Sequence, residues 1–342
     1  MLRLDDGLIG GGGVGSTVGG GACQGLACQQ KACAGFTTTS VSGRVFDPSG
    51  QLPLYNVMVY VPNAPLAPLT PGATCTCEVS GEPIASALTD TDGRFTMSNV
   101  PVGTDIPLVV QIGKWRRKFT LPSVAECTNT AIPESMLRLP ARQSEGDMPK
   151  IALTTGGADA LECLIPKLGI DPAEFTNPDG TGRINYFTGH GGTDQYAQNR
   201  NAGASFPPAS QLWNSVDTLR KYDVALLSCE GGTHADEKGP AAFQAMHDYA
   251  NLGGRVFASH WHEVWFTDGP APFPNVATFV REKDIGNLTA DVTTSFPKGQ
   301  ALADWLVNVN ASTTAGRIDI TAAQHTVVTE NPMYAQRWIF QH

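Results

Sequence analysis

Apolar and polar positions follow two different rhythms along this chain. Between about residues 40 and 140 the pattern has a period of two: Val57, Val59 and Val61 alternate with Met58 and Tyr60, as in a half-buried strand. Further strands are expected at 41–46, 93–97, 106–112 and 115–121. Turn signals separate them at Asp47-Pro-Ser-Gly50, Asp92-Gly93 and Pro101-Val-Gly103. Short strands at this spacing predict an all-β sandwich.

From Lys150 the rhythm changes. Short apolar runs at 151–154, 184–187, 224–228 and 255–259 alternate with helical patterns at 158–168, 209–222 and 240–252. This β-α-β-α order predicts a mainly parallel sheet covered on both faces, a three-layer α/β unit. The division expected is a Gly-rich tether and Cys cluster over 1–39, the sandwich over 40–140, a polar linker over 141–149, and the α/β domain over 150–342. The stretch Gln336-Arg-Trp-Ile-Phe-Gln-His342 stops directly after apolar residues, without a turn or polar tail, as a domain cut short at its C-terminus would.

Composition narrows the function classes. Only 16% of residues are charged and the net charge is −9. Nucleic acid is a poor partner for such a chain, because phosphate contacts need clustered Lys and Arg. No apolar run reaches the length of a transmembrane helix. Residues 7–21 contain nine Gly and read as a flexible tether. The opening Met1-Leu-Arg-Leu-Asp-Asp lacks the apolar core of a signal peptide, so an export signal is expected upstream.

Export is expected because six of the eight cysteines, Cys23, Cys28, Cys33, Cys75, Cys77 and Cys127, fall in loop-like surroundings before residue 130. They read as a disulfide framework with its pairing open. Zinc ligation is the alternative, but the spacing of five among Cys23, Cys28 and Cys33 is not that of a zinc knuckle. The location implied is extracytoplasmic, secreted or surface-anchored in the manner of a lipoprotein.

The motifs Ser42-Gly-Arg-Val-Phe-Asp-Pro-Ser-Gly50, Asn56-Val-Met-Val-Tyr-Val61, Thr89-Asp-Thr-Asp-Gly-Arg-Phe-Thr-Met97 and Val100-Pro-Val-Gly103 resemble the carboxypeptidase regulatory-like domain. That resemblance implies a transthyretin-like sandwich of the carbohydrate-binding-like group. In the second half, Tyr222-Asp-Val-Ala-Leu-Leu-Ser, Gly231-Gly232 and Tyr249-Ala-Asn-Leu-Gly-Gly-Arg-Val-Phe-Ala258 resemble the class I glutamine amidotransferase-like fold, a flavodoxin-like sheet. The two in tandem are similar to secreted myxobacterial proteins.

The candidate chemistry lies where the predicted parallel strands end, since ligands of open α/β sheets bind there. The runs ending in Ser228-Cys229-Glu230 and Ser259-His260-Trp261-His262 place reactive side chains at that edge. The amidotransferase resemblance lays Gly231-Gly232 on the oxyanion loop and Ser259-His260-Trp261 on the nucleophile elbow. The elbow has no cysteine, and His325 is followed by Thr-Val rather than completing His-x-Glu. Glutamine hydrolysis by the family mechanism is therefore not expected.

Cys229 with His260 and Glu230 remains a candidate catalytic set, a thiol needing a nearby base. The bland alternative is a buried cysteine acting as a small hydrophobe, or one bridged to Cys163. No cofactor is expected, but His260 and His262 share a face if extended. With Cys229, Glu230, His190 or His234 they could hold a divalent metal. Trp261 and Trp265 beside them fit packing or an aromatic-walled pocket equally.

Thr154-Thr-Gly-Gly-Ala-Asp159 matches no phosphate-loop motif and reads as a tight turn, with Asp159 near a helix N-terminus. The basic run Lys114-Trp-Arg-Arg-Lys118 reads as a solvated strand face or as a polymer-binding patch with Trp115 as stacking platform. Together these residues predict an exported binding protein for carbohydrate or another surface polymer, using Gly231, Gly232, Trp261 and Trp115. A hydrolase or metal protein is the alternative.

Overall fold

The computed structural model describes residues 23–35, 37–76, 79–281 and 284–341. The tether predicted over 7–21 and Cys77 lie outside them. Four of the six candidate cysteines form disulfides, Cys23–Cys28 and Cys33–Cys127. The second closes 94 residues of chain and ties the N-terminal segment to the far end of the sandwich. Cys75, Cys163 and Cys229 carry free thiols.

The first half forms two facing sheets. One is ordered β4-β1-β7, built from β1 (Ser40–Arg44), β4 (Arg94–Ser98) and β7 (Asn129–Ala131). The other is the antiparallel β3-β2-β5-β6, from β2 (Met58–Pro62), β3 (Pro83–Leu88), β5 (Gly103–Ile112) and β6 (Trp115–Val124). Val41, Val59, Val61, Met97, Leu108 and Val110 fill the space between them. Val59 and Val61 point into this core as the alternation predicts.

Tyr60, on the opposite face of β2, is buried too. That face is therefore covered, and the cover comes from the basic run. Lys114 Nζ donates to Asp223 Oδ1 (2.5 Å), Thr70 O and Gly72 O. Arg116 is buried, donating to Asp147 Oδ2 (2.8 Å), Ser80 Oγ and Ala67 O. Arg117 pairs with Glu145 (3.3 Å). Trp115 is half-buried against both the sandwich core and a core of the second half. The run is a seam between the halves, neither a solvated face nor a platform standing free of the fold. The predicted linker at 141–149 is part of the same seam, with Met148 buried and Asp147 and Glu145 holding β6.

The second half contains a fully parallel sheet of β8 (Ile151–Thr154), β9 (Ile184–Phe187), β10 (Val224–Leu227) and β11 (Arg255–Ala258). Their spatial order is β11-β10-β8-β9. The chain steps from β8 to one side and returns to the other, so the strand order reverses between β8 and β10, the place where open α/β sheets bind ligands at their carboxyl ends.

One face of this sheet packs the helix Pro240–Asn251 through Ala242, Met246 and Tyr249, with Trp213 and Trp265. The other face is covered by Ile165, Ile170, Phe175, Tyr196 and Phe206, from short turns rather than a long helix. The helix expected at 158–168 shrinks to a 3-10 turn and a single α turn, Leu164–Lys167, containing Pro166. The one expected at 209–222 breaks into Ser210–Trp213 and Val216–Leu219, because Ser215 is extended (φ −145°, ψ 121°).

Beyond β11 the parallel sheet does not grow. The chain forms two small antiparallel sheets: β12 (Ala277–Phe279) with β15 (Val327–Glu330), and β13 (Asp284–Val292) between β14 (Arg317–Gln324) and β16 (Ile339–Phe340). A helix, Pro297–Asn308, accompanies them and touches the sandwich through Trp305 Nε1–H to Pro53 O (2.8 Å).

Candidate functional site

The four strand ends are fastened to one another by side chains and by glycine contacts. At Gly156 a Cβ would strike the carbonyls of Cys229 and Ser228, and at Gly189 the carbonyl of Thr155. Only glycine lets the loops after β8, β9 and β10 come this close. Asp159 completes the fastening. Its Oδ2 accepts from the Cys229 amide (3.2 Å) and from the Ser259 hydroxyl. The residue expected to serve a helix dipole instead braces the ends of β10 and β11.

Cys229 is buried. Its Sγ lies 3.5 Å from His260 Nδ1, so the pair expected from adjacent strand ends is formed. Burial pushes the thiol's pKa up. The backbone N–H groups of Trp261 and Gly231 at the sulfur oppose that rise, while Asp159 and Glu230 add to it. The net direction is upward, towards a neutral thiol. His260 adopts a left-handed backbone, φ 34°, which is strained for a side chain with a Cβ. Trp261 leans on its ring at 4.8 Å between centroids.

His262 does not join His260. The two lie in a 3-10 turn, His260–Glu263, not on an extended segment, so they do not share a face. His262 is buried and both ring nitrogens are engaged. Nδ1 accepts from Trp265 Nε1–H (3.0 Å), and Nε2–H donates to Ser228 O (2.8 Å). Burial drives its pKa down to about 4, which keeps it neutral. The expected metal pair at His260 and His262 is thus corrected: His262 has no free lone pair to offer.

Glu230 is likewise committed. Oε2 accepts from Lys238 Nζ at 2.6 Å, with side chains 1% and 0% exposed. Oε1 accepts from the His190 amide (2.9 Å). Lys238 Nζ also donates to Thr233 O (3.1 Å) and His234 O (3.3 Å) and lies over the Trp213 ring. Sequence reasoning missed Lys238 because no short motif joins Glu230 to a lysine on the far side of a loop.

At the open rim of this edge stand Gly231, exposed at φ 81°, the half-exposed Gly232, Trp261 and His260, and the exposed His190. His190 Nδ1 is 2.7 Å from Glu237 Oε1, and its ring stacks on that of His234 at 3.6 Å. Trp115 belongs to the seam and is not part of this group.

No family model and no curated protein matches the chain. Among solved structures, two type II cohesin–X-dockerin complexes from Acetivibrio cellulolyticus, an N-terminal and a C-terminal interface mutant, are similar at 18% identity with a TM-score of 0.22. Each alignment covers 39% of this chain and 85% of the other.

Proposed function

We propose that the chain is an exported binding protein that seats its ligand over the carboxyl ends of β8 to β11, the ligand being a carbohydrate or another surface polymer. One observation carries the reading: the groups that acid–base or thiol chemistry would need at this edge are consumed by the fold. Glu230 is in a buried ion pair, His262 has both nitrogens occupied, and Cys229 is held towards the neutral thiol. The rim of Gly231, Gly232, His260 and Trp261 stays accessible, and glycine beside an aromatic ring suits a polar ligand with flat apolar faces.

Two disulfides support an oxidising compartment. The chain-order pattern 2-1-3-4 of the parallel strands is how a flavodoxin-like sheet begins. That supports the amidotransferase-like resemblance without its triad. The sandwich's resemblance to the carbohydrate-binding-like group supports a saccharide.

The reading is tested by titrating the full chain with soluble cell-wall oligosaccharides, beside His260→Ala. Binding weakened by about tenfold or more is expected in the variant. Undiminished binding would move the ligand to another surface. A second reading, a hydrolase with Cys229 as nucleophile and His260 as base, is favoured by their 3.5 Å contact and the two amides at the sulfur. Turnover of an activated ester or amide that is lost in Cys229→Ser would establish it.

A further inference from the structure

We propose that His190, His234 and Glu237 hold a divalent transition-metal ion of the zinc class at the rim of the strand-end edge. This goes beyond the binding reading, since the ion would be held with or without a polymer ligand. One ligand atom from each residue lies within 4.8 Å of the others. Ligands of a tetrahedral zinc ion sit about 3.4 Å apart, so the set closes when the stacked His190 and His234 rings rotate until their in-plane lone pairs converge. Two imidazoles and one carboxylate are a borderline-soft donor set that selects zinc-like ions over calcium or magnesium. Three protein ligands leave a coordination position open to solvent or ligand. The exposure of His190 and Glu237, 47% and 45%, places that position outward.

The support behind the cluster is the stronger part of the case. The buried Glu230–Lys238 pair spends its remaining hydrogen bonds on the backbone of the histidine-bearing loops: Glu230 on the His190 amide, Lys238 on the carbonyls of Thr233 and His234. A buried ion pair is a weak source of stability in itself. This one fixes two loops from different strands so that their imidazoles meet. Backbone held from behind in this way is what a preorganised metal site needs. His234 is further held in a left-handed conformation, φ 40°, at the one turn that returns Glu237 to His190. Without the ion, the His190 Nδ1–H donates to Glu237. To offer Nδ1 to an ion, the neutral ring would move its single proton to Nε2.

The test is calorimetric and spectroscopic. Untagged full chain with its disulfides intact, and with Cys75 and Cys163 alkylated so that exposed thiols cannot compete, is titrated with zinc and with cobalt(II). One ion per chain is expected, with a cobalt spectrum of nitrogen and oxygen ligands that zinc displaces. Affinity should fall about 100-fold or more in His190→Ala, and about 10-fold or more in Glu237→Gln. Both remove exposed side chains, so folding should be preserved, which far-UV circular dichroism checks. His247→Ala, a histidine outside the cluster, should bind as the parent does. Equal affinity in parent and His190→Ala, a thiolate-to-cobalt charge-transfer band, or no uptake at about 100 μM metal would each overturn the assignment.

Discussion

Between the two sandwich sheets the buried residues are Val41, Val59, Val61, Met97, Leu108, Val110 and their neighbours. At the ends of β8 to β11 they are Thr154, Thr155, Ser228, Glu230, Lys238 and His262. Buried polar groups of the sandwich serve local turns, the seam or neighbouring strands, as Thr39 and Thr89 do by accepting from the Cys127 and Val57 amides. Asp47 accepts from Ser49 and the amides of Gln51 and Leu52, and Arg116 ties β6 to Asp147. Those at the strand ends join loops from different strands, and Ser228 Oγ and Thr154 Oγ1 have no partner among the described residues. Burying polar groups costs free energy that apolar packing would not. The strand-end edge carries that cost beside left-handed His234 and His260, and strain gathered beside buried polar groups is what a functional edge shows.

The comparison is broken most forcefully at Lys238. Replacing it with Met leaves Glu230 buried and unpaired, and should cost about 3–5 kcal/mol in denaturant unfolding. The double variant with Glu230→Gln should recover a large part of that loss. Leu108→Ala in the sandwich should cost about 2–5 kcal/mol through a cavity while leaving ligand and metal affinity unchanged wherever the chain is folded. Similar stability losses with metal affinity weakened only in Lys238→Met would sharpen the contrast, and loss of metal affinity in Leu108→Ala would blur it.

Acid provides the next test. The folded pKa of His262, about 4, lies below its ordinary 6.5. The neutral ring's contribution to stability is therefore complete above pH about 6.5 and is lost as pH falls towards 4. The loss amounts to about 3 kcal/mol. Urea unfolding at steps across that window should show this slope in the parent, and a flatter one in His262→Gln.

The smallest effect tests the strain. His260→Gly removes a left-handed Cβ and should hold stability level or raise it by about 1 kcal/mol, while weakening ligand binding. A variant that loses stability and binds normally would show that His260 serves the fold.

The strongly alternating strands of the sandwich were legible in sequence because Val and Tyr mark their faces. Strand β3, Pro83-Ile-Ala-Ser-Ala-Leu88, was not. It is an edge strand, where Pro is tolerated at the start, and it meets the core mainly through the small Ala85 and Ala87 and through Ile84, a weak apolar signal. The parallel strands were legible as short apolar runs, and the nearness of Cys229 and His260 at their ends, 3.5 Å in the structure, was legible with them. What lay beyond reading was everything decided by how loops return: Asp159 bracing two strands, Lys238 reaching Glu230, and Glu237 meeting His190. The same limit misplaced the metal pair, since two histidines two apart share a face only on an extended chain, and here they sit in a 3-10 turn.

The most direct test of the account is the rate of Cys229 alkylation in the native full chain, followed against pH and read by mass at each cysteine. A buried thiol with a raised pKa should alkylate slowly at neutral pH, after the exposed Cys75 and Cys163, and quicken only above the ordinary thiol range. If Cys229 instead reacts first at neutral pH, with a titration below that of a free thiol, the strand ends hold an activated nucleophile and the binding account is contradicted.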